Sequence, residues 1–275
     1  MISIKKAGVV GFPVGHSLSP RLHGFWLKKY NIAGEYKHYE VRPEDLAEFI
    51  HNLRSDNDFS GVNLTIPHKE SVIKLLDNID EIATEIGAVN VVINKNGKLI
   101  GKNTDAYGFA ENIRTSVTGT KKAVVLGAGG AAKAVIFALL EIGFKEIIIT
   151  NRSRVRAEEL SSVIRHPLSV VDWQKRGEIL ENTDLLVNTT SLGMTGKEPL
   201  EIDLWLLPKT ALVTDIVYSP LITPLLAQAK ARGNPTVDGL GMLLYQAVPA
   251  FEAWFGIKPE VTEELRQYVL AGIKS

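Results

Sequence analysis

One lysine and one aspartate form a pair that could move a proton. Lys69 closes the segment Asn63-Leu-Thr-Ile-Pro-His-Lys, which follows a predicted strand, and Asp105 closes Gly101-Lys-Asn-Thr-Asp, which follows another. Open α/β sheets bind ligands at the carboxyl ends of their strands. A partly desolvated lysine near a carboxylate can give a proton to a carbonyl oxygen or take one from a carbinol. The placement therefore predicts proton transfer at an alcohol or a ketone.

A second polar cluster lies near the start, in Gly11-Phe-Pro-Val-Gly-His-Ser-Leu-Ser-Pro. Ser17 and Ser19 present two hydroxyl groups on a loop rich in glycine and proline that leads into a predicted helix. Ser19 also fits the N-cap of that helix, because a serine oxygen can accept from a backbone amide of the first turn and Pro20 suits the next position. Capping would explain Ser19 but not Ser17.

A glycine-rich turn predicts a dinucleotide site. Gly127-x-Gly129-x-x-Ala132 connects a predicted buried strand to a predicted helix. The first glycine permits the tight turn, the second lets the backbone approach a pyrophosphate, and the alanine allows close packing of helix on strand. The amino-terminal end of the helix adds unpaired N–H groups and a partial positive charge. A purely structural tight turn is the alternative interpretation.

The next strand points to the phosphorylated cofactor. An NAD site usually has an acidic residue about 20 residues beyond the glycines, to bind the ribose hydroxyls. This chain has Thr150-Asn-Arg-Ser-Arg-Val-Arg there, with arginines at positions 152, 154 and 156. Guanidinium groups pair well with phosphate, which favours NADP(H). A solvated basic helix start is the other interpretation.

Alternating short β-branched runs and amphipathic segments must position these groups. This alternation predicts an α/β fold with a mostly parallel sheet. Pro43 should open a helix with an apolar stripe of Leu46, Phe49, Ile50 and Leu53. Asn96-Gly97 predicts a type I′ hairpin turn. After Gly233-Asn-Pro the alternation stops, and two consecutive helices follow, at about 240–255 and 261–270.

The composition excludes several classes of protein. The 275 residues include 31 Lys+Arg and 31 Asp+Glu, so the zero net charge argues against a broadly cationic nucleic-acid binder. The chain has no cysteine, hence no thiolate chemistry, and its histidines lack ligand spacing, so no metal is expected. No apolar run reaches the ~18 residues of a membrane helix, and the start lacks a signal-peptide pattern. We expect a soluble, cytoplasmic protein without membrane or nucleic-acid partners.

Several short motifs occur along the chain in a fixed order. They are His16-Ser-Leu-Ser-Pro20, Asn63-Leu-Thr-Ile-Pro-His-Lys69, Gly87-Ala-Val-Asn90, Asn103-Thr-Asp105, Gly127-Ala-Gly-Gly-Ala131, Asn151-Arg-Ser153, Asn188-Thr-Thr-Ser-Leu-Gly-Met194 and Asp238-Gly-Leu-Gly-Met-Leu-Leu-Tyr-Gln246. Together they resemble the shikimate dehydrogenase family over nearly the whole length. The resemblance implies reversible reduction of 3-dehydroshikimate to shikimate with NADPH, in the chorismate pathway of aromatic amino acid biosynthesis.

The resemblance also implies roles for individual residues at the substrate. Ser17 and Ser19, assisted by Tyr218, would bind the carboxylate. The ring hydroxyls would be held by Thr65, Lys69, Asn90, Asp105 and Gln246. Lys69 would be the acid/base and Asp105 would orient it. Such a polar set suits a small polyol acid, because each buried hydroxyl needs a partner.

For the cofactor, the resemblance implies three groups of contacts. The pyrophosphate would lie against Gly127, Ala128, Gly129, Gly130 and Ala131. The adenosine ribose and its 2′-phosphate would meet Asn151, Arg152, Ser153 and Arg156. Ile216 and Gly239 would border the nicotinamide. The side-chain direction of Arg154 stays open.

The implied architecture has three segments. Residues 1–105 would form an α/β substrate-binding and catalytic domain, 106–237 a Rossmann-like NADP domain, and 238–275 helices that pack back on the first domain. The chain departs from the family pattern at His23-Gly24, where His-Asn is usual, and at Ser153, where threonine is usual. These changes put only supporting contacts in question.

Two alternative functions stay open at this point. One is a quinate/shikimate dehydrogenase of broader specificity that uses NAD, which the arginine cluster disfavours. The other is a catalytically silent ligand-sensing module on the same fold, which the presence of both Lys69 and Asp105 disfavours. The sequence also leaves a homodimer open.

Overall fold

The computed structural model describes residues 4–164 and 166–273. The chain divides into two compact units. The first contains the residues up to Thr104 together with Gln246–Ile273, and the second contains Asp105–Tyr245. Among the described residues, no helix combines the length and apolar character needed to cross a bilayer.

Strands and helices alternate through most of the chain, as the sequence predicts. The strands are β1 (Lys5–Gly11), β2 (Gly34–Glu40), β3 (Phe59–Leu64), β4 (Asn78–Ile79), β5 (Val91–Lys95), β6 (Lys98–Lys102), β7 (Lys122–Leu126), β8 (Glu146–Asn151), β9 (Ser169–Asp172), β10 (Leu185–Asn188), β11 (Leu212–Asp215) and β12 (Thr236–Val237). The helices are α1 (Ser19–Lys29), α2 (Leu46–Ser55), α3 (His68–Ser71), α4 (Glu81–Ile86), α5 (Asp105–Ile113), α6 (Gly130–Ile142), α7 (Arg154–Val163), α8 (Pro224–Ala231), α9 (Leu240–Phe255) and α10 (Glu263–Leu270).

The first unit is built on a mixed sheet of order β2-β1-β3-β5-β6-β4. Strand β1 runs parallel to both neighbours, whereas β3, β5 and β6 pair antiparallel. The β5–β6 turn has φ 54° at Asn96 and 84° at Gly97, which confirms the predicted type I′ hairpin. The predicted stripe of α2 is also confirmed, since Leu46, Ile50 and Leu53 are buried against this sheet.

The C-terminal residues Gln246–Ile273 belong to this first unit. Trp254, at the end of α9, is buried, and its indole Nε1 donates to the Val92 carbonyl over 3.0 Å. Gly61 makes room for this contact, because a Cβ atom there would lie 2.0 Å from the same carbonyl. Phe251 packs edge-on against Trp26 of α1, with ring centroids 5.2 Å apart. An aromatic core therefore joins the two ends of the chain.

The second unit contains a parallel sheet of order β12-β11-β10-β7-β8-β9. Its first strand in sequence, β7, lies between β8 and β10, so the strand order reverses there. Ligands of open α/β sheets bind beyond the carboxyl ends of the strands at such a reversal. The fold thus places the glycine-rich turn after β7 at the expected binding edge.

Candidate functional site

The two serines of the N-terminal loop interact with each other. The Ser17 hydroxyl donates to Ser19 Oγ over 3.2 Å, and Ser17 Oγ accepts from the Ser19 backbone amide over 3.3 Å. Helix α1 begins at Ser19 itself, with Leu18 at the N-cap and no side-chain cap. The predicted N-cap role of Ser19 is therefore wrong, because the helix starts one residue earlier than the position of Pro20 suggests. Ser19 is buried and Ser17 is half-buried.

A polar chain links these serines to the middle of the sheet. Burial raises the pKa of Tyr36 well above its usual value, and a hydrogen bond with the Ser19 side chain opposes that rise. The Tyr36 hydroxyl donates to Asn63 Oδ1 over 2.7 Å, and Asn63 Nδ2 donates to the Asn90 carbonyl over 3.2 Å. Tyr36 was absent from the predicted site, because only the fold places β2 and β3 on either side of β1 and so brings Tyr36 to Asn63.

Asn90 is the centre of a buried amide cluster. Its Nδ2 donates to Thr104 Oγ1 over 3.1 Å and to Gln246 Oε1 over 3.3 Å, and its Oδ1 accepts from the Thr104 amide over 2.8 Å. The structure thus brings together Asn90 and Gln246, which lie 156 positions apart in the sequence. Both were predicted to contact ring hydroxyls.

Lys69 and Thr65 lie beside this cluster. Thr65 directly follows β3, and its amide donates to the Val10 carbonyl over 2.9 Å. Lys69 lies on α3, half-buried, and its carbonyl accepts from the Val89 amide over 2.8 Å, next to Asn90. The backbone of both residues is therefore held at the carboxyl edge of the sheet. Asp105 directly follows the buried Thr104 and begins α5.

The glycine-rich turn of the second unit has the geometry of an anion cradle. Gly127 adopts φ +114°, and a Cβ atom there would lie 2.5 Å from Thr189 Oγ1, so only glycine fits. Gly129 and Gly130 face open space, where the backbone is accessible to a ligand. Helix α6 begins at Gly130 and has no acidic residue in its first turn. Its unpaired amides and dipole can bind a pyrophosphate.

The segment after β8 presents the predicted arginines. Ser153 caps α7 by accepting from the Arg156 amide, and Asn151 Nδ2 donates to the Ser153 carbonyl over 2.9 Å. Arg152 and Arg156 are exposed. Arg154 forms ion pairs with two carboxylates, Glu158 at 2.7 Å and Asp172 at 2.6 Å. Its side chain is therefore directed towards these two residues, a point that the sequence left open.

The residues predicted to border the nicotinamide lie on adjoining loops. The Ile216 amide donates to the Asn188 carbonyl over 3.1 Å, at the end of β10. A Cβ atom at Gly239 would lie 2.4 Å from the Ile216 carbonyl, so glycine permits the two loops to touch. Tyr218 follows two residues after Ile216, and burial raises the pKa of its hydroxyl.

The comparisons with known proteins agree with this architecture. Three family models match: "Shikimate dehydrogenase substrate binding domain" at residues 9–92, "Shikimate / quinate 5-dehydrogenase" at 109–200 and "Shikimate 5'-dehydrogenase C-terminal domain" at 239–266. A shikimate dehydrogenase (NADP(+)) from Paramagnetospirillum magneticum is 54% identical over 270 residues, which cover 96% of this chain and 98% of that protein. The chain belongs to the shikimate dehydrogenase family. The resemblance seen in the motifs is thereby confirmed.

Solved structures of shikimate dehydrogenase relatives share the fold. The shikimate 5-dehydrogenase of Thermus thermophilus, solved with NADP(H) and shikimate, has a TM-score of 0.88 and 37% identity, over 98% of this chain and 100% of that one. A quinate dehydrogenase of Corynebacterium glutamicum, solved with NAD, has a TM-score of 0.92 and 31% identity, over 98% and 99% of the two chains. The α/β fold with a Rossmann-like second unit is therefore that of the shikimate dehydrogenases.

The sequence interpretation missed one buried carboxylate of the shikimate dehydrogenase fold. Asp215 ends β11 and accepts from Asn188 Nδ2 at 3.0 and 3.1 Å, from the Val217 amide at 3.0 Å and from Thr223 Oγ1 at 2.7 Å. It therefore fixes the start of the loop that carries Ile216 and Tyr218. The sequence did carry a signal for this carboxylate, namely an aspartate at the end of an otherwise mostly apolar strand.

We expect Asp215 to link folding to proton uptake. Burial raises its pKa to about 6, although these hydrogen bonds oppose the shift. The folded protein therefore binds a proton at Asp215 more tightly than the unfolded chain does. Proton binding stabilises the folded protein fully below the unfolded-state pKa of 3.8, and this stabilisation is lost as pH rises through about 6. Relative to Asp215→Asn, the wild type should gain about 2 to 3 kcal/mol in free energy of unfolding between pH 7.5 and pH 4.

Urea titrations at these two pH values measure that gain. Glu159→Gln, at an exposed position of α7, is the control and should leave the pH dependence unchanged. Parallel pH profiles for wild type and Asp215→Asn would contradict the prediction.

Proposed function

We propose that this chain is an NADP-dependent shikimate dehydrogenase, which catalyses the reversible reduction of 3-dehydroshikimate to shikimate in aromatic amino acid biosynthesis. Residues 1–105 form the substrate-binding domain, 106–237 the NADP domain, and 238–275 return to the first domain. We also propose that the enzyme works in the cytoplasm.

The observation that carries the proposal is the buried hydroxyl and amide network of the first unit. Ser17 and Ser19 meet at 3.2 Å, and Asn90 and Gln246 meet at 3.3 Å. Neutral donors of this kind suit a small molecule with a carboxylate and several hydroxyl groups. An analogue that lacks one hydroxyl would leave a buried group without its partner, which is a strong basis for rejecting it.

The second unit fits NADP(H). The open backbone at Gly129 and Gly130 suits the pyrophosphate, and the exposed guanidinium groups of Arg152 and Arg156 suit the 2′-phosphate. Ala128, Ala131, Asn151 and Ser153 complete the cofactor contacts, with Ile216 and Gly239 at the nicotinamide. The hydride for the new C–H bond is what NADPH supplies when bound.

Lys69 supplies the proton in the direction of reduction. Its ammonium group donates a proton to the carbonyl oxygen as the carbonyl carbon gains the hydride, and in the reverse direction the neutral amine takes the hydroxyl proton. Asp105 orients this ammonium and accepts a hydrogen bond from a ring hydroxyl. Thr65 and Tyr218 hold the substrate's hydroxyl and carboxylate groups.

A direct assay separates this function from its alternatives. Absorbance at 340 nm is followed with shikimate or quinate and with NADP⁺ or NAD⁺. We expect kcat/KM for shikimate with NADP⁺ to exceed that with NAD⁺ by roughly 10- to 100-fold, the range of a single charge-assisted hydrogen bond. Equal use of both cofactors, or a preference for quinate, would instead support the alternative of a quinate/shikimate dehydrogenase of broader specificity that uses NAD.

The same assay tests the silent-module alternative. Tight binding of shikimate by calorimetry without any change in absorbance would contradict an enzymatic function and support a ligand sensor.

A further inference from the structure

The arginines after β8 have different surroundings. Arg154 Nε lies 2.7 Å from Glu158 Oε1, and its Nη1 lies 2.6 Å from Asp172 Oδ1. In the chain as described, residues 4–164 and 166–273, no ion pair involves Arg152 or Arg156. One guanidinium therefore binds two carboxylates, while its two neighbours keep their charge available for another anion.

Of the two carboxylates, Asp172 lies at the border of the proposed 2′-phosphate site, and Glu158 lies on the following helix. Asp172 is the last residue of β9 and is the register partner of Asn151, the last residue of β8. Glu158 lies on α7, two positions beyond Arg156 and one helical turn beyond Arg154. Residues two positions apart on a helix do not face each other, so Glu158 is directed away from Arg156. A phosphate bound by Arg152 and Arg156 would therefore stand closest to Asp172.

These carboxylates would weaken phosphate binding in two ways if Arg154 were absent. They would repel the phosphate through space, since unit charges about 8 Å apart interact by a significant fraction of a kcal/mol even in water. Asp172 could also form an ion pair with Arg152 and so compete with the phosphate for this donor. Arg154 prevents both effects by engaging Glu158 and Asp172 itself.

We propose that Arg154 is a specificity-determining residue that acts through its two carboxylate partners. It binds Glu158 and Asp172 and offsets one of their two negative charges, so that Arg152 and Arg156 stay available for a 2′-phosphate, and it does not bind the phosphate itself. The inference rests on the proposed NADP function, but it assigns a role to a residue for which the family resemblance implied none.

The role concerns selectivity and not stability. The side chains of Arg154, Glu158 and Asp172 are 52%, 53% and 47% exposed, and ion pairs this exposed contribute little to folding. Loss of Arg154 also releases Asp172 at the end of a strand next to β8. Removal of Arg154 should therefore penalise the phosphorylated ligand alone.

Calorimetry with two cofactor fragments tests the proposal without turnover. Adenosine 2′,5′-bisphosphate carries the 2′-phosphate, and 5′-AMP lacks it. We expect Arg154→Gln to raise the Kd of the bisphosphate roughly 3- to 10-fold and to change the Kd of 5′-AMP by less than about twofold. Arg154→Lys, which keeps the charge, should lie near the wild type. Raising the salt concentration should shrink the effect of Arg154→Gln, because salt screens exposed charges.

A compensating variant separates the proposed role from a structural one. In Arg154→Gln combined with Glu158→Gln and Asp172→Asn, the carboxylates no longer need neutralising. We therefore expect bisphosphate affinity to return to within about twofold of the wild type, as expected for coupled charges. Equal loss of both fragments in Arg154→Gln, no loss of either, or no recovery in the triple variant would overturn the proposal.

A further variant shows whether a negative result overturns only the role of Arg154 or also the proposed NADP function. Arg152→Gln with Arg156→Gln removes the proposed phosphate donors. If this double variant binds the bisphosphate normally, the proposed NADP site is wrong and the role of Arg154 falls with it. If it loses the bisphosphate while Arg154→Gln keeps it, only the role of Arg154 is overturned.

Discussion

Lys69→Ala is expected to lower kcat for shikimate oxidation by roughly 10²- to 10⁴-fold, the usual contribution of a positioned general acid or base. The alanine variant keeps the backbone contact from the Val89 amide to the carbonyl at position 69, so the edge of the sheet should stay intact. What it removes is the group that exchanges a proton with the substrate oxygen. The Kd of NADP⁺ should change by less than about twofold, because Lys69 and the proposed cofactor residues belong to different units.

Steady-state kinetics and calorimetry together check this expectation. Lys74→Ala is a matched control, since Lys74 is exposed, lies five positions further along the chain and loses the same charge. It should leave kcat nearly unchanged. Near-normal turnover of Lys69→Ala would exclude Lys69 as the acid/base, and an equal loss in both variants would indicate a general charge effect.

The parts of the fold that could be predicted depend on local chemistry. Asn96-Gly97 specifies its own turn through positive φ angles, and the Gly127 turn follows from a backbone conformation that only glycine fits. The apolar stripe of α2 repeats at helical spacing and so fixes its buried face. Short-range patterns of this kind can be read from one segment without knowledge of its neighbours.

The parts that could not be predicted depend on distant residues. Ser19 fits an N-cap by sequence, yet it begins the helix and bonds to Tyr36 of β2 through its side chain. Arg154 is directed by Asp172, which lies 18 positions away on the next strand. Asp215 gains its raised pKa from burial inside the second sheet. Each outcome depends on which strands become neighbours, and a residue's own segment does not contain that information.

His23 shows how a distant environment can change the chemistry of a single side chain. It lies on α1, fully buried, and stacks on the Tyr36 ring with centroids 4.1 Å apart. Trp26, Phe251 and Trp254 surround it. In the described part of the chain, neither ring nitrogen has a hydrogen-bond partner. Burial lowers the pKa of His23 to about 3, and the neighbouring Asn63 side chain opposes this shift without cancelling it.

The shift makes His23 a source of acid sensitivity. The unfolded chain binds a proton at this ring below about pH 6.5, whereas the folded protein does so only below about 3. Stability is therefore retained above pH 6.5 and decreases as pH falls towards 3. The loss attributable to His23 amounts to about 2 kcal/mol at pH 5, about 3 kcal/mol at pH 4 and at most about 5 kcal/mol. That limit is comparable with the whole stability of many domains.

Replacement by a side chain that does not titrate should remove this loss. We expect the free energy of unfolding of His23→Phe to decrease less than that of the wild type between pH 7.5 and pH 4, by about 3 kcal/mol. Urea titrations at several pH values measure the difference, and comparing slopes cancels any packing defect that the phenylalanine introduces. His51→Phe, at an exposed position of α2, is the matched control and should follow the wild type.

Asp215 acts in the opposite direction in part of this range, so the wild-type profile alone cannot isolate His23. Proton uptake by Asp215 stabilises the folded protein as pH falls from about 6 to 3.8, where proton exclusion by His23 destabilises it. In a variant with both His23→Phe and Asp215→Asn, the free energy of unfolding should lose both of these contributions to its pH dependence. The effects should add, because His23 and Asp215 belong to different units and their pKa shifts have no neighbouring group in common. If His23→Phe has the same pH slope as the wild type, the buried ring takes up its proton without unfolding, and the acid sensitivity has another source.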